Sequence, residues 1–224
     1  MNSTIFLNVF TRRTIISAGF IGLFFFLSSI AYRYGLADIK HYQVMSNIEK
    51  WHKNSDMDQW RKTRLILHQI NELHPDNPYY LELLAQTEEM SGRQSKGKVA
   101  EVFYREALNS LERSIRLRPI SPYTWLNMAK IKVKLGEFDE QFVIAVESAL
   151  KFGRWIESIQ QGVAVIGFRY WEELPKAIKL PMKDNLNRAV RIQQTELFNL
   201  AEKHGATEQL CLFVRGNVHQ CNRN

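Results

Sequence analysis

Between Thr14 and Tyr32 the chain runs nineteen residues (TIISAGFIGLFFFLSSIAY) without a charge, and then the pattern changes. Beyond it, apolar residues recur at spacings of three and four with almost no strand-like alternation, which predicts helices throughout. The first segment is apolar on every face. As a helix it spans roughly 28 Å at 1.5 Å per residue, close to the hydrocarbon thickness of a bilayer. Arg12 and Arg13 precede it, Tyr32 and Tyr34 stand where interfacial aromatics would, and Arg33 can reach the headgroups. These features predict a signal anchor over 14–32, with a cytoplasmic tail at 1–13 and the body carried across the membrane. Arg33 and Lys40 weaken that orientation bias. A cleaved signal peptide is the alternative, since Ser29 and Ala31 are small residues at the −3 and −1 positions of a cleavage site. Against it, the apolar run exceeds the roughly 7–15 residues usual for a signal.

The rest of the chain contains a repeat. Residues 60–92 align with 104–136 at a constant offset of 44. Arg61 matches Arg105, Leu67 matches Leu111, Leu73 matches Leu117, and Pro75 matches Pro119. The register continues through Pro78 and Pro122, Tyr79 and Tyr123, Ala85 and Ala129, and Gly92 and Gly136. Pro75 and Pro119 are expected to close one helix, and Pro78 and Pro122 to open the next after the caps Asn77 and Ser121. Gly92 and Gly136 are expected just past the end of that second helix. A helix–turn–helix unit is therefore duplicated.

The stretch Trp125 to Ala129, then Leu135-Gly136-Glu137-Phe138, then Ala149-Leu150, resembles a tetratricopeptide repeat. Gln141 stands where that pattern usually has a small residue, and Ala149-Leu150 falls one place late. The usual period is 34, so the offset of 44 implies about ten extra residues, expected as a loop over Gly92–Lys98. The resemblance implies an all-α, right-handed helical stack over 56–205. A juxtamembrane helix or linker at 33–55 would carry Ile39, Tyr42, Met45, Ile48 and Trp51, and a tail would follow at 206–224. Helices over 155–174 and 184–204, separated by Pro175 and Pro181, would cap the stack. More loosely, the anchor, the 77–85 stretch, Arg169-Tyr-Trp171-Glu-Glu-Leu-Pro175 and Glu196 to Gly205 resemble VpsP-type bacterial exopolysaccharide-biosynthesis proteins. That likeness implies an accessory role in making or exporting a surface polysaccharide.

The formal charge is +7, but Arg12, Arg13 and Arg33 are the only charges ahead of Asp38. No dense Lys/Arg stripe follows, so nucleic acid is not the expected partner. Gly92-x-x-x-x-Gly97-Lys98 spells most of a P-loop, yet Val99 lacks the hydroxyl that would hold Mg²⁺ and no strand precedes it. The histidines (41, 52, 68, 74, 204, 219) have no ligand spacing, so neither metal nor cofactor is expected. Glu88-Glu89 and Glu172-Glu173 are adjacent acids that do not share a helix face. Catalytic residues are therefore not assigned, and an enzyme is not expected. Trp125, Phe138, Phe142 and Trp155 are expected in the core. Cys211 and Cys221 either close a loop in an oxidising compartment or remain thiols in a reducing one.

Tetratricopeptide stacks bind partners on the inner face of their first helices. Carried onto this chain, that face holds Tyr79, Glu82 and Gln86 in one unit and Tyr123, Asn127, Lys130 and Lys134 in the next. Asn127, Lys130 and Lys134 share one side of a helix. Lysines there favour an acidic peptide or a C-terminal carboxylate from another subunit of a membrane complex, and a solvated helix face is the plain alternative. The expected protein is a single-pass inner-membrane scaffold with a periplasmic body and no small-molecule substrate, in polysaccharide synthesis or export. An envelope-assembly adaptor, for pilus or cytochrome biogenesis, is the second reading. The third is a glycan-binding or glycan-processing module using Trp155, Tyr170, Trp171 and Glu172-Glu173.

Overall fold

The computed structural model describes residues 3–54, 57–214 and Cys221. The regular elements over residues 3–54 and 57–214 are α-helices: α1 (Ser3–Asn54), α2 (Met57–Leu73), α3 (Pro78–Gln94), α4 (Gly97–Leu117), α5 (Pro122–Leu135), α6 (Glu140–Phe152), α7 (Glu157–Tyr170), α8 (Lys176–Ile192), α9 (Gln194–Lys203) and α10 (Thr207–Phe213). The chain divides into two compact units, Met1–Pro75 and Asp76–Asn224.

In the first unit, α1 contains no proline and runs unbroken through the expected junction at residue 33. It is long and apolar enough to cross a membrane, and none of its most apolar stretch is covered by protein. Phe20, Phe24, Phe25, Phe26 and Leu27 are all exposed. Past Tyr34 the helix changes character. Ala37 and Val44 are buried, with Lys40, His41 and Ile48 half-buried, a stripe that keeps to the 3.6-residue period. The helix α2 returns antiparallel along this half of α1. Arg33 Nη2 donates to the Glu72 carbonyl (3.1 Å), Tyr34 stacks on His74 (4.0 Å between centroids), and Lys40 Nζ donates to Gln69 Oε1 (2.7 Å). Ile39, Tyr42 and Met45 lie on the expected helix but are exposed, because steps of three drift around a helix of 3.6 residues per turn. The side chains of Arg12, Arg13, Trp51 and His52, and all of His219, lie outside the described residues.

The second unit is a row of hairpins: α3 with α4, α5 with α6, α7 with α8, and α9 with α10. Their first helices start at Pro78, Pro122, Glu157 and Gln194, so the steps are 44, 35 and 37 residues. Asn77 caps α3 by accepting from the Tyr79 N–H (3.0 Å), and Asp139 caps α6 by accepting from the Phe142 N–H (3.0 Å). Gly136 ends α5 in the left-handed region at φ +71, as its spacing predicts.

Gly92 behaves otherwise. The helix α3 continues past it to Gln94, and a Cβ there would lie 2.6 Å from Tyr104 Cε1. Gly92 is thus a seat for the Tyr104 ring rather than a helix stop. The additional residues of the first hairpin are correspondingly helical, with α3 at 17 residues and α4 at 21 against 14 and 13 for α5 and α6. The loop expected at Gly92–Lys98 shrinks to Ser95 and Lys96. Pro181 is likewise no separator. It lies in the second turn of α8, which continues through it without the hydrogen bond that its missing N–H would make.

One core gathers Ala85, Leu111, Leu126, Ala129, Phe142, Ala149, Ile159 and Met182 from α3 to α8. A second gathers Phe168, Leu186, Leu197, Phe198 and Leu210 from α7 to α10. Phe142 is fully buried, with Trp125 and Phe138 packed beside the first core. Trp155, expected inside, is 65% exposed on the α6–α7 turn, because it falls between helices rather than on either buried stripe. Within the stretch expected as a tail, α10 packs its Leu210 into the second core, and a disulfide joins Cys211 to Cys221 with Cα atoms 5.5 Å apart.

Candidate partner-binding face

The first helices α3, α5 and α7 lie side by side, and two clefts open between them. The first, of about 590 Å³, is lined by Glu82 and Gln86 of α3, by Tyr123 and Asn127 of α5, and by the α4–α5 turn. The second, of about 300 Å³, is lined by Glu89 of α3, Lys130, Val133 and Lys134 of α5, and Gly162, Val165, Ile166, Arg169 and Tyr170 of α7. The residues grouped from sequence therefore part into two sites. Tyr123 and Asn127 face one, Lys130 and Lys134 the other, and Tyr79 is exposed on the first turn of α3 without lining either.

Glu82 is not free to meet a ligand. One of its carboxylate oxygens accepts from Ser114 Oγ (3.0 Å), from Arg118 Nη2 (2.7 Å) and from Thr124 Oγ1, which ties α3, α4 and α5 together. Tyr123 bridges to α7 through its hydroxyl, 3.3 Å from Ser158 Oγ. The first cleft is consequently a braced, polar hollow.

The second cleft is differently poised. Burial lowers the pKa of Lys130; Glu89 opposes the shift and Arg93 adds to it. Lys134 is lowered by burial too, with Glu89 opposing and Arg93 and Arg169 adding. Glu89 already pairs with Arg93 at 3.6 Å. One carboxylate thus serves several cations, and an incoming anion would favour the charged form of both lysines. Lys134 also extends over the Tyr104 ring, 5.7 Å from its centroid.

Sequence reasoning missed the contributions of α3 and α7 to this cleft. A signal is present: the 35-residue step from α5 to α7 carries Asn127 onto Gly162, Lys130 onto Val165 and Lys134 onto Arg169. It stays hidden when the duplication is followed only at an offset of 44.

No known protein-family profile matches the chain. No curated protein matches it. Solved structures do resemble it. A crystal structure of MamA protein is 12% identical, with 78% of this chain and 87% of that one covered, at a TM-score of 0.47. A crystal structure of TTC0263, a thermophilic TPR protein in Thermus thermophilus, is 14% identical, with 80% and 97% covered, at a TM-score of 0.49.

A charge network closes the far end of α5. The side chain of Lys132, only 4% exposed, donates to Glu137 Oε2 (2.8 Å) and Asp139 Oδ2 (2.6 Å), while Arg105 Nη1 meets Glu137 Oε1 at 2.6 Å. Burial alone would lower Lys132, but the two carboxylates outweigh it and its pKa is raised. Burial pulls Glu137 and Asp139 upward, yet both end lowered, Glu137 by Lys132 and Arg105, Asp139 by Lys132 and the Phe142 N–H. This network fixes the α5–α6 turn and faces neither cleft.

The aromatic set considered for a sugar groove does not converge. Trp155 precedes α7 and Tyr170 ends it, a helix rise of roughly 20 Å. Trp171 packs on Phe213 (4.4 Å between centroids), with Lys179 and Lys183 over its ring. Among the residues whose side chains are described, no three His, Cys, Asp or Glu cluster as metal ligands would.

Proposed function

We propose that this chain is a membrane-anchored helical-repeat scaffold whose α3–α5–α7 face holds an acidic segment or C-terminal carboxylate of another protein subunit. Residues 14–32 span a bacterial inner membrane, residues 1–13 are cytoplasmic, and the second unit stands in the periplasm. The observation that carries the partner reading is the convergence of Lys130, Lys134 and Arg169 on one cleft against the already paired Glu89. An uncovered apolar helix long enough to cross a bilayer supports the anchor. The Cys211–Cys221 bond suits an oxidising compartment, which supports the periplasmic side. The likeness to VpsP-type proteins supplies the process, an accessory role in surface-polysaccharide synthesis or export. The same architecture would also serve an envelope-assembly adaptor.

The test is photocrosslinking of the full chain in native membranes, with the reactive residue at Asn127 or Val165 on this face, or at Glu147 on α6. Discrete adducts are expected from the first two positions and not from the third. They should disappear in a Lys130→Glu/Lys134→Glu variant whose thermal midpoint is unchanged. Adducts that survive charge reversal would overturn the reading.

A further inference from the structure

We infer that the end of the second unit where its hairpins connect rests on an anionic lipid surface, so that the body lies against the membrane by its turn tips. This inference rests on the proposed span at 14–32.

The tips are held together at one end. Ser114 Oγ near the end of α4 lies 3.3 Å from the Pro78 carbonyl at the start of α3. Gly153, between α6 and α7, is so close to Pro122 that a Cβ there would lie 2.8 Å from the proline's own. Gln193, between α8 and α9, donates through Nε2 to the Glu157 carbonyl (3.3 Å) and to Gln160 Oε1 (2.8 Å) at the start of α7.

What these tips present is unusual for solvent-facing turns. Ile120 is 67% exposed and Trp155 65%, with Leu117, Phe152 and Ile192 exposed beside them. Among them stand the exposed cations Arg116, Lys151, Arg154 and Arg191. Lys151 lies over the Phe152 ring at 5.3 Å and Arg154 over Trp155 at 5.5 Å. Arg118 is engaged by Glu82. The acids at this end are Asp76, Glu157 and Glu196, each beside the start of α3, α7 or α9, where a negative charge complements the helix dipole. The opposite turns carry Glu137, Asp139, Glu172 and Glu173 along with Lys96, Lys98 and Lys176, and Val99 and Val102 are exposed near the α3–α4 turn, but no aromatic residue is exposed there. Aromatic and aliphatic tips among cations suit the headgroup layer of an anionic bilayer.

The test reconstitutes the full chain in phosphatidylcholine vesicles with and without phosphatidylglycerol, and washes them with alkali before measurement. Tryptophan quenching by headgroup-proximal brominated lipid is compared between wild type and Trp155→Phe, and the same pair is probed with iodide from the water. Wild type should show lipid quenching that Trp155→Phe lacks, stronger with phosphatidylglycerol. A Lys151→Glu/Arg154→Glu variant with an unchanged circular-dichroism spectrum should weaken docking about fivefold per cation lost. If the washed vesicles keep the chain but Trp155 remains open to iodide in both lipids, lipid does not cover the tips and this inference fails alone. If they release the chain, the span fails and the inference falls with it.

Discussion

Residues 14–32 of α1 and the hairpin of α5 and α6 are both rich in large apolar side chains, yet they dispose of them in opposite ways. In α5 and α6 the buried apolar residues face neighbouring helices. Leu126 lies against Gly162 of α7, and Met128, Ile131, Phe142 and Val146 join the same core, so all five vanish from the surface. In α1 they occupy every face, and Phe20, Phe24, Phe25, Phe26 and Leu27 touch little protein. A neighbouring helix to pack against, rather than apolar content, separates the two. A helix with no polar face needs an apolar solvent, whereas one with a stripe needs only a neighbour.

The largest expected effect breaks the first half of this comparison. In a Phe24→Arg/Leu27→Arg variant each arginine costs about 3 kcal/mol at the centre of a span. The alkali-resistant membrane fraction should fall to background while the helical signal of the body persists. Next comes the core. Phe142→Ala should lower the stability of the detergent-solubilised full chain by about 3–5 kcal/mol, read as a drop in thermal midpoint. Phe25→Ala, an equal truncation on α1, should leave that midpoint where it was. Equal losses from both would erase the contrast.

The smallest effect sharpens the account of how the α5–α6 turn is fixed. Lys132→Met should cost about 1–3 kcal/mol near neutral pH, less than a fully buried pair because Asp139 is half in solvent. The pH dependence has a definite sign. Glu137 and Asp139 are lowered in the folded chain, so their contribution is present above the ordinary carboxylate range and is lost as pH falls through their folded values. Lys132 is raised, so its contribution holds below the ordinary lysine range and is lost as pH rises through its folded value. Wild type should therefore show a broad neutral plateau in thermal midpoint. The variant should be lower across that plateau and flatter toward acid.

Much of the fold is legible in local sequence because its punctuation is local. Pro78, Pro122, Asn77, Asp139 and Gly136 act within one turn of where they stand, and the helices begin and end by them. What depends on packing is harder to read. Gly92 has the spacing of a helix stop but serves as the floor under Tyr104, a residue twelve positions on. Pro181 reads as a break, but α8 continues through it, held by Ile178, Met182 and Leu186 in the core. Of the site, the lysines of α5 could be placed on one face from their spacing alone. That Lys130 and Lys134 share a cleft with Arg169, and Asn127 with Gln86 instead, depends on how α3 and α7 dock against α5. Lys132 illustrates the same limit. It sits between two other lysines of an ordinary-looking cationic run, and only the turn geometry reveals it as the buried one.

The central claim, a span at 14–32 bearing a water-exposed helical body, is tested most directly by protease shaving. Membranes holding the full chain are digested from the side of the body, washed with alkali, and analysed by mass spectrometry. Peptides from residues 76–214 should be released while a fragment containing Ile15 to Tyr32 stays in the membrane pellet. Recovery of that fragment in the wash, or of the intact chain there before digestion, would contradict it.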